Sequence, residues 1–265
     1  MVSFSAERGT LVVMVPTQAG LIIAADKRTT PDGIYCDGVN KILLPKKTEA
    51  LAVVITGLAS FRDTANIPRS ELCNVLATTP APVDFGRAVS RFIGGQSAGV
   101  AKLDLQGVTE AIYAEMKPFI DGGQFNSLFG TRLAVITMAD FEPQTSMSNV
   151  KSLAVELGPQ GEFRLQPDYY ARFGMTDRPD AIVFGEGPYF RDNVLNGAGR
   201  KFLDGSFEQL TSKSRVNEID ANLGSAVAIN WIEAASKTTD IIKPPTGIGG
   251  GVDCVLLGPD NRVIR

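Results

Sequence analysis

Apolar and polar residues along this chain predict strands towards both ends and helices in the middle. Short runs of β-branched and apolar residues bounded by Gly, Pro or Asp are typical of buried strands. These runs cover residues 10–16, 21–26, 41–44, 51–56, 133–138, 151–157, 162–165, 181–184, 252–257 and 262–264. With helices between them, this order predicts an α+β fold of two packed antiparallel sheets.

Three segments show the spacing of helices with one buried face. Val108, Ile112, Met116 and Phe119 are spaced by three or four residues, which places them on one side of a helix. Residues 85–93 form a second amphipathic segment, and 221–237 is the strongest helix of the chain. A further helix is predicted to start at Ser60.

Composition fits an ordinary folded protein and excludes several classes of partner. The 265 residues are 44% hydrophobic and 21% charged, which suits one large domain. The net charge of −3 argues against nucleic acid, because phosphate binding needs a basic surface. No apolar run approaches the ~18 residues of a membrane span. We expect no nucleic acid, no membrane and no cofactor.

The three cysteines are odd in number and far apart in the sequence. Cys36, Cys73 and Cys254 show neither the spacing of a zinc site nor the density of a disulfide framework. We therefore expect no disulfide framework and a reducing, cytoplasmic location.

The absence of histidine restricts the chemistry that this chain can perform. It excludes the Ser-His-Asp and Cys-His hydrolases and any zinc site that needs a histidine ligand. A hydrolase built from this sequence must take its general base from Lys, Asp, Glu or a chain terminus.

The junction between Gly9 and Thr10 offers such a base. Residues 1–9 lack the apolar middle of a signal peptide and suit a short propeptide. Cleavage before Thr10 would give one residue both a hydroxyl nucleophile and an α-amine that titrates near pH ~8. A tight turn at 17–20 should bring Asp26 back beside Thr10. An ion pair between Asp26 and Lys41 would then place a positive charge near the amine and help keep it neutral.

Several short motifs together resemble the β-subunits of the proteasome, which are N-terminal-nucleophile hydrolases. The resemblance lies in residues 10–30 with Asp26 at the family's distance from Thr10, in Lys41-Ile42, and in the segments 55–58, 183–189 and 249–257. It implies a four-layer α-β-β-α sandwich. It also implies a single domain over 10–265 after the propeptide 1–9, with an enlarged middle region at about 60–130.

The same resemblance assigns roles to further residues. Gly57 would supply the backbone N–H of an oxyanion hole, and the Thr30 backbone would pair with a peptide substrate. The apolar substrate pocket would be lined by Thr29, Val39, Leu43, Ile55 and Ala59.

Two regions depart from the family pattern. Glu186 stands where the family has a serine, and the loop after the long helix is several residues longer. In that loop Asp240 and Thr246 are the candidates for the supporting aspartate and serine, with Thr239 as an alternative for the aspartate.

The resemblance implies a self-processed threonine endopeptidase of the proteasome type, which cuts peptides or unfolded proteins through Thr10. It further implies a homo-oligomer and allows an unfolding ATPase as a partner. Two alternatives remain at this point: an unprocessed structural subunit without activity, and an N-terminal-nucleophile amidohydrolase that acts on a small amide.

Overall fold

The computed structural model describes residues 4–6, 10–45, 50–95, 104–242, 247–259 and 262–264. Its strands are β1 (Phe4–Ala6), β2 (Leu11–Thr17), β3 (Gly20–Asp26), β4 (Ile42–Leu43), β5 (Leu51–Gly57), β6 (Ser60–Asp63), β7 (Val83–Asp84), β8 (Thr131–Glu142), β9 (Met147–Leu157), β10 (Phe163–Phe173), β11 (Ile182–Gly185), β12 (Val252–Leu257) and β13 (Arg262–Val263).

The helices lie mainly between β6 and β8 and between β11 and β12. They are α1 (Leu72–Thr78), α2 (Phe85–Gly95), α3 (Leu105–Asp121), α4 (Gly187–Tyr189), α5 (Ser206–Thr211) and α6 (Ala221–Thr239). A π-helical segment (Phe190–Leu195) follows α4, and 3₁₀ turns lie at Pro31–Gly33, Asn126–Leu128, Ala198–Phe202 and Val216–Glu218. The long helices start where side chains cap them: Asp104 accepts from Gly107 N at 3.1 Å, and Asp220 accepts from Leu223 N at 2.7 Å.

The strands form two large antiparallel sheets and one small one. The first five-stranded sheet has the order β11-β2-β3-β12-β13, and the second has the order β10-β9-β8-β5-β4. The third sheet has three strands in the order β1-β6-β7. The tight turn between β2 and β3 pairs Thr17 with Gly20 and Val12 with Ala25, so the end of β3 returns to the start of β2.

Three apolar cores show how these elements are layered. Between the two large sheets lies a core that includes Val12, Ile23 and Val54. A second core packs α2 and α3 against the outer face of β5, β8 and β9. A third packs α6 against the outer face of β2 and β3, with Trp231 at its centre. The predicted α+β class and four-layer α-β-β-α sandwich of antiparallel sheets are thus confirmed.

The prediction of a helix starting at Ser60 is wrong. Residues Ser60–Asp63 form β6, which pairs with β1 on one side and with β7 on the other. Phe61 is buried at 1% exposure against the helices that cover the second sheet. The step after Gly57 therefore leads from one strand to another, and not from a strand into a helix.

Strand β10 is much longer than the predicted strand at 162–165. It continues to Phe173 and stays paired with β9 through a register shift between Pro167 and Tyr169. As the outermost strand of its sheet it is largely exposed, so it lacks the apolar pattern that marks a buried strand.

Among the described residues, no helix is both long enough and apolar enough to cross a membrane.

Candidate active site

Thr10 lies immediately before β2 and is buried, at 7% exposure. Its carbonyl oxygen accepts a hydrogen bond of 2.9 Å from the backbone N–H of Glu186. Gly185 permits this approach because it has a φ of +75°, and a Cβ at that position would lie 1.9 Å from the Thr10 carbonyl oxygen. The end of β11 therefore lies in direct contact with the Thr10 backbone.

Asp26 is fully buried beside the residue that follows Thr10. Its Oδ1 accepts hydrogen bonds from Leu11 N at 2.8 Å and from Lys41 Nζ at 3.0 Å. Its Oδ2 accepts from Arg28 N at 3.2 Å and from Gly249 N at 3.3 Å. Four donors thus hold this carboxylate at the point where β2, β3 and the segment before β12 meet.

Lys41 completes a buried ion pair with Asp26. Its ammonium is nearly as buried as the carboxylate, and it also donates to the carbonyl oxygen of Arg28. Burial raises the pKa of the Asp26 carboxyl, while the Lys41 charge and the backbone donors act in the opposite direction. A pair of this kind holds its two groups in one geometry, because separating them would leave a buried charge uncompensated.

A cavity of about 490 Å³ opens beside Thr10. It brings together most of the residues that the sequence marks as catalytic or substrate-binding. Those on its wall are Thr10, Thr29, Val39, Lys41, Leu43, Ile55, Gly57 and Ala59. Asp26 lies behind this wall, in contact with Lys41.

Gly57 ends β5 in a conformation that favours glycine. Its φ is +90°, and a Cβ there would lie 2.8 Å from the carbonyl oxygen of Leu133. A side chain at this position would therefore be strained and would collide with β8. At Gly57 the cavity wall therefore consists of backbone atoms alone.

Two predicted site residues lie apart from this group, and a third lies outside the described residues. Thr30 is absent from the cavity lining, and its buried hydroxyl has no hydrogen-bond partner among the described residues. Asp240 follows the end of α6, is exposed, and acts on the Arg28 guanidinium through its charge. Thr246 lies outside the described residues. The alternative residue Thr239 is buried at the end of α6, and its hydroxyl donates to the Ser236 carbonyl oxygen.

The expectation of an apolar pocket is wrong for part of its wall. Beyond the apolar residues near Thr10, the cavity is lined by Arg62 of β6, Asp84 of β7 and Arg87 of α2. These charges come from the middle region of the chain. The sequence offers no signal for them, because their position depends on the pairing of β6 with β7.

The prediction that the cysteines form no disulfide framework needs correction at one pair. Cys36 and Cys73 form a disulfide, while Cys254 is buried and takes no part in it. Cys36 also pairs through its backbone with Thr29 on the cavity wall. Because disulfides persist mainly in oxidising surroundings, the cysteines give no support for a reducing location.

Glu186 is a candidate that the sequence marked only as a departure. Its backbone N–H contacts Thr10, and its carboxyl group is half-buried. Burial raises the pKa of this carboxyl, and the negative charge of Asp26 adds to the rise. Two carboxyl groups therefore influence each other close to Thr10. No cluster of three or more His, Cys, Asp or Glu side chains in the described part of the chain could hold a metal ion.

Comparisons with known proteins do not assign this chain to a family. No family model matches the chain, and no curated protein matches it. Among solved structures, the Anbu (Gly-1) mutant from Hyphomicrobium sp. strain MC1 is 16% identical, covering 97% of this chain and 85% of its own, with a TM-score of 0.45. Anbu from the same strain is 14% identical, covering 96% and 87%, with a TM-score of 0.42. A likeness at these scores does not assign this chain a family or a function.

The assignment to proteasome β-subunits is therefore wrong. No family model supports it, and the two solved structures named above are too weakly similar to support it. Motifs of a few residues at strand ends and turns follow from the geometry of hairpins as well as from descent. The positions of Thr10, Asp26 and Lys41 are properties of this chain and do not depend on that assignment.

Proposed function

We propose that this protein is a self-processing threonine peptidase whose nucleophile is the hydroxyl of Thr10. The observation that carries this proposal is the buried Asp26–Lys41 pair, which is hydrogen-bonded to the amide next to Thr10 beside a cavity that contains both Thr10 and Lys41. Cleavage of the bond between Gly9 and Thr10 would free the α-amine that the chemistry needs, since this chain has no histidine.

In this mechanism the Thr10 hydroxyl oxygen attacks the carbonyl carbon of a peptide bond, and its proton passes to the α-amine. The amine then protonates the leaving nitrogen, and the acyl group remains as an ester on Thr10. Water hydrolyses this ester with the α-amine as the base. The backbone N–H of Gly57 would stabilise the oxyanion that forms in both steps.

Lys41 would tune the α-amine through its charge. A nearby ammonium disfavours a second positive charge, so it lowers the pKa of the amine and keeps it able to accept a proton near neutral pH. Asp26 holds Lys41 in place and contacts the Leu11 amide. The pair thus connects the proposed site to both large sheets.

A specific observation favours one rival, an unprocessed protein without activity. In the intact chain, residues Phe4–Ala6 pair with β6 as a third strand of the small sheet. A segment paired in this way fits a protein that keeps its N-terminal residues. The state of the N-terminus therefore separates the two functions.

The first test is the mass and N-terminal sequence of the purified protein, compared with those of Thr10→Val. We expect the wild-type chain to begin at Thr10 and the variant to retain residues 1–9, since valine keeps the shape but lacks the hydroxyl. A folded wild-type protein that still begins at Met1 would favour the inactive rival.

The second test is peptide hydrolysis by Lys41→Ala. We expect a loss of at least about 100-fold in rate, in the range found when acid–base catalysis is impaired. The matched control is Lys27→Ala, because Lys27 adjoins Asp26 in sequence but pairs with Asp253 at 3.0 Å. Wild-type rates in folded Lys41→Ala would contradict the proposed role.

A further inference from the structure

Arg62 is a buried cation on the wall of the substrate cavity. It lies in β6, is 7% exposed, and lines the same cavity as Thr10. One of its terminal nitrogens donates to the carbonyl oxygen of Thr79. Its buried Nε has no hydrogen-bond partner among the described residues. A buried donor without a partner is costly, and more so when it carries charge, so this nitrogen is suited to a ligand.

Arg62 also lacks a counter-ion in the described part of the chain. It takes part in no ion pair there, whereas the other described cations on the cavity wall each pair with a carboxylate. Lys41 is paired with Asp26. Arg87 binds Glu115 at 3.1 Å.

Among the described residues, Asp84 is the one carboxylate on the cavity wall. It lies opposite Ser60 in the pairing of β6 with β7 and is therefore diagonal to Arg62. One of its oxygens accepts from the backbone N–H of Arg87 at 2.9 Å, which caps the start of α2. It is thus engaged with α2 and forms no ion pair with Arg62 within the described residues.

We propose that Arg62 determines substrate specificity by binding a carboxylate group in this cavity. A guanidinium presents parallel N–H donors that match a carboxylate in a two-point contact. The aliphatic part of such a substrate would lie against the apolar wall formed by Val39, Leu43 and Ile55. The carboxylate belongs either to an acidic side chain before the cleaved bond or to the C-terminus of a peptide. This inference rests on the proposed function for its substrate class, but the binding site itself does not need Thr10 to react.

The binding experiment uses the unreactive Thr10→Ala protein and two capped peptides that differ only in Glu or Gln. We expect the Glu peptide to bind at least about tenfold more tightly by calorimetry, because hydrogen bonds to charged groups are the stronger ones. Arg62→Gln and Arg62→Met should both remove this difference. Arg91→Gln is the matched control and should preserve it, since Arg91 is not among the residues that line the cavity and pairs with Glu115 at 3.1 Å. Unchanged thermal melting of each variant shows that it folds.

A third peptide identifies the source of the carboxylate. It carries Gln at the test position and a free C-terminal carboxyl group, and the peptides above are amidated. Tighter binding of this peptide than of its amide assigns the site to peptide C-termini, and tighter binding of the Glu peptide assigns it to acidic side chains. Equal binding of all three, or no binding, overturns the proposal.

Hydrolysis by the wild-type protein distinguishes this inference from the proposed function. Arg62-dependent binding of the carboxylate peptide without any cleavage would leave the inference standing and refute the peptidase. Cleavage by wild-type protein with equal kcat/KM for all three peptides would support the peptidase and overturn the role of Arg62. We expect a kcat/KM ratio of at least about tenfold in favour of Glu in the wild type, and a ratio near one in Arg62→Gln.

Discussion

Two carboxyl groups near Thr10 differ in how the fold treats their charge. Asp26 is fully buried, but three backbone N–H donors and the Lys41 ammonium surround it. Glu186 is half-buried, and burial and the negative charge of Asp26 both raise the pKa of its carboxyl. Burial raises the pKa of both carboxyls. Lys41 and the backbone donors oppose that rise at Asp26, whereas the negative charge of Asp26 adds to it at Glu186.

This difference predicts how Glu186→Gln changes stability with pH. The folded-state pKa of Glu186 is raised above its ordinary value of 4.5, so the ionised group costs stability once the pH exceeds that range. We expect the variant to have a melting temperature a few degrees above that of the wild type at pH 7.5. At pH 4 the carboxyl is mostly neutral in both states, and the two proteins should melt alike. A thermal melt at each pH checks this, and an equal gain at both would contradict the assigned cause.

At the scale of elements, a disulfide links the loop after β3 to α1. Cys36 pairs with Thr29 through its backbone, and Cys73 lies in the first turn of α1. The end of that helix, from Leu76 to Thr79, forms part of the cavity wall. The bond therefore joins two sides of the candidate site across a sequence separation of 37 residues.

Removing this bond should lower the free energy of unfolding by about 2 to 4 kcal/mol, because it closes a long loop of the unfolded chain. Urea unfolding of wild type and Cys73→Ser, each with and without dithiothreitol, measures the loss. Reductant should destabilise the wild type and leave Cys73→Ser unchanged. Cys254→Ser is the control: it should respond to reductant as the wild type does, since Cys254 takes no part in the disulfide. Insensitivity of the wild type would contradict a stabilising disulfide.

At the scale of the whole molecule, the second large sheet ends in a long exposed strand. Within the part of the chain that the structure describes, strand β10 pairs with β9 alone, and Tyr170 on it is 64% exposed. An unpaired edge with exposed aromatic side chains favours association with another chain. We therefore expect this protein to form a homo-oligomer through β10.

Light scattering coupled to gel filtration tests this expectation. The wild type should elute at a multiple of the mass of one chain, and Tyr170→Glu should shift the distribution towards the monomer. Gln209→Glu adds the same charge on the exposed surface of α5 and should leave the mass unchanged. A wild-type protein of monomer mass at all concentrations would refute the assembly.

The sequence by itself determined the features that depend on neighbouring residues. The apolar runs located most strands, the periodic residues located α2, α3 and α6, and the short turn after β2 predicted that Asp26 returns to Thr10. These predictions hold because strand alternation, helix spacing and tight turns are properties of a few consecutive residues.

Only the tertiary structure decided the far wall of the cavity. The pairing of β6 with β1 and β7, the disulfide between Cys36 and Cys73, and the position of Arg62 all join residues distant in the sequence. The local pattern at Ser60–Asp63 fits more than one structure, and its partner strands select one of them. The placement of Asp26 beside Thr10 is therefore readable from local sequence, whereas the charge that we propose selects the substrate depends on how distant segments pack together.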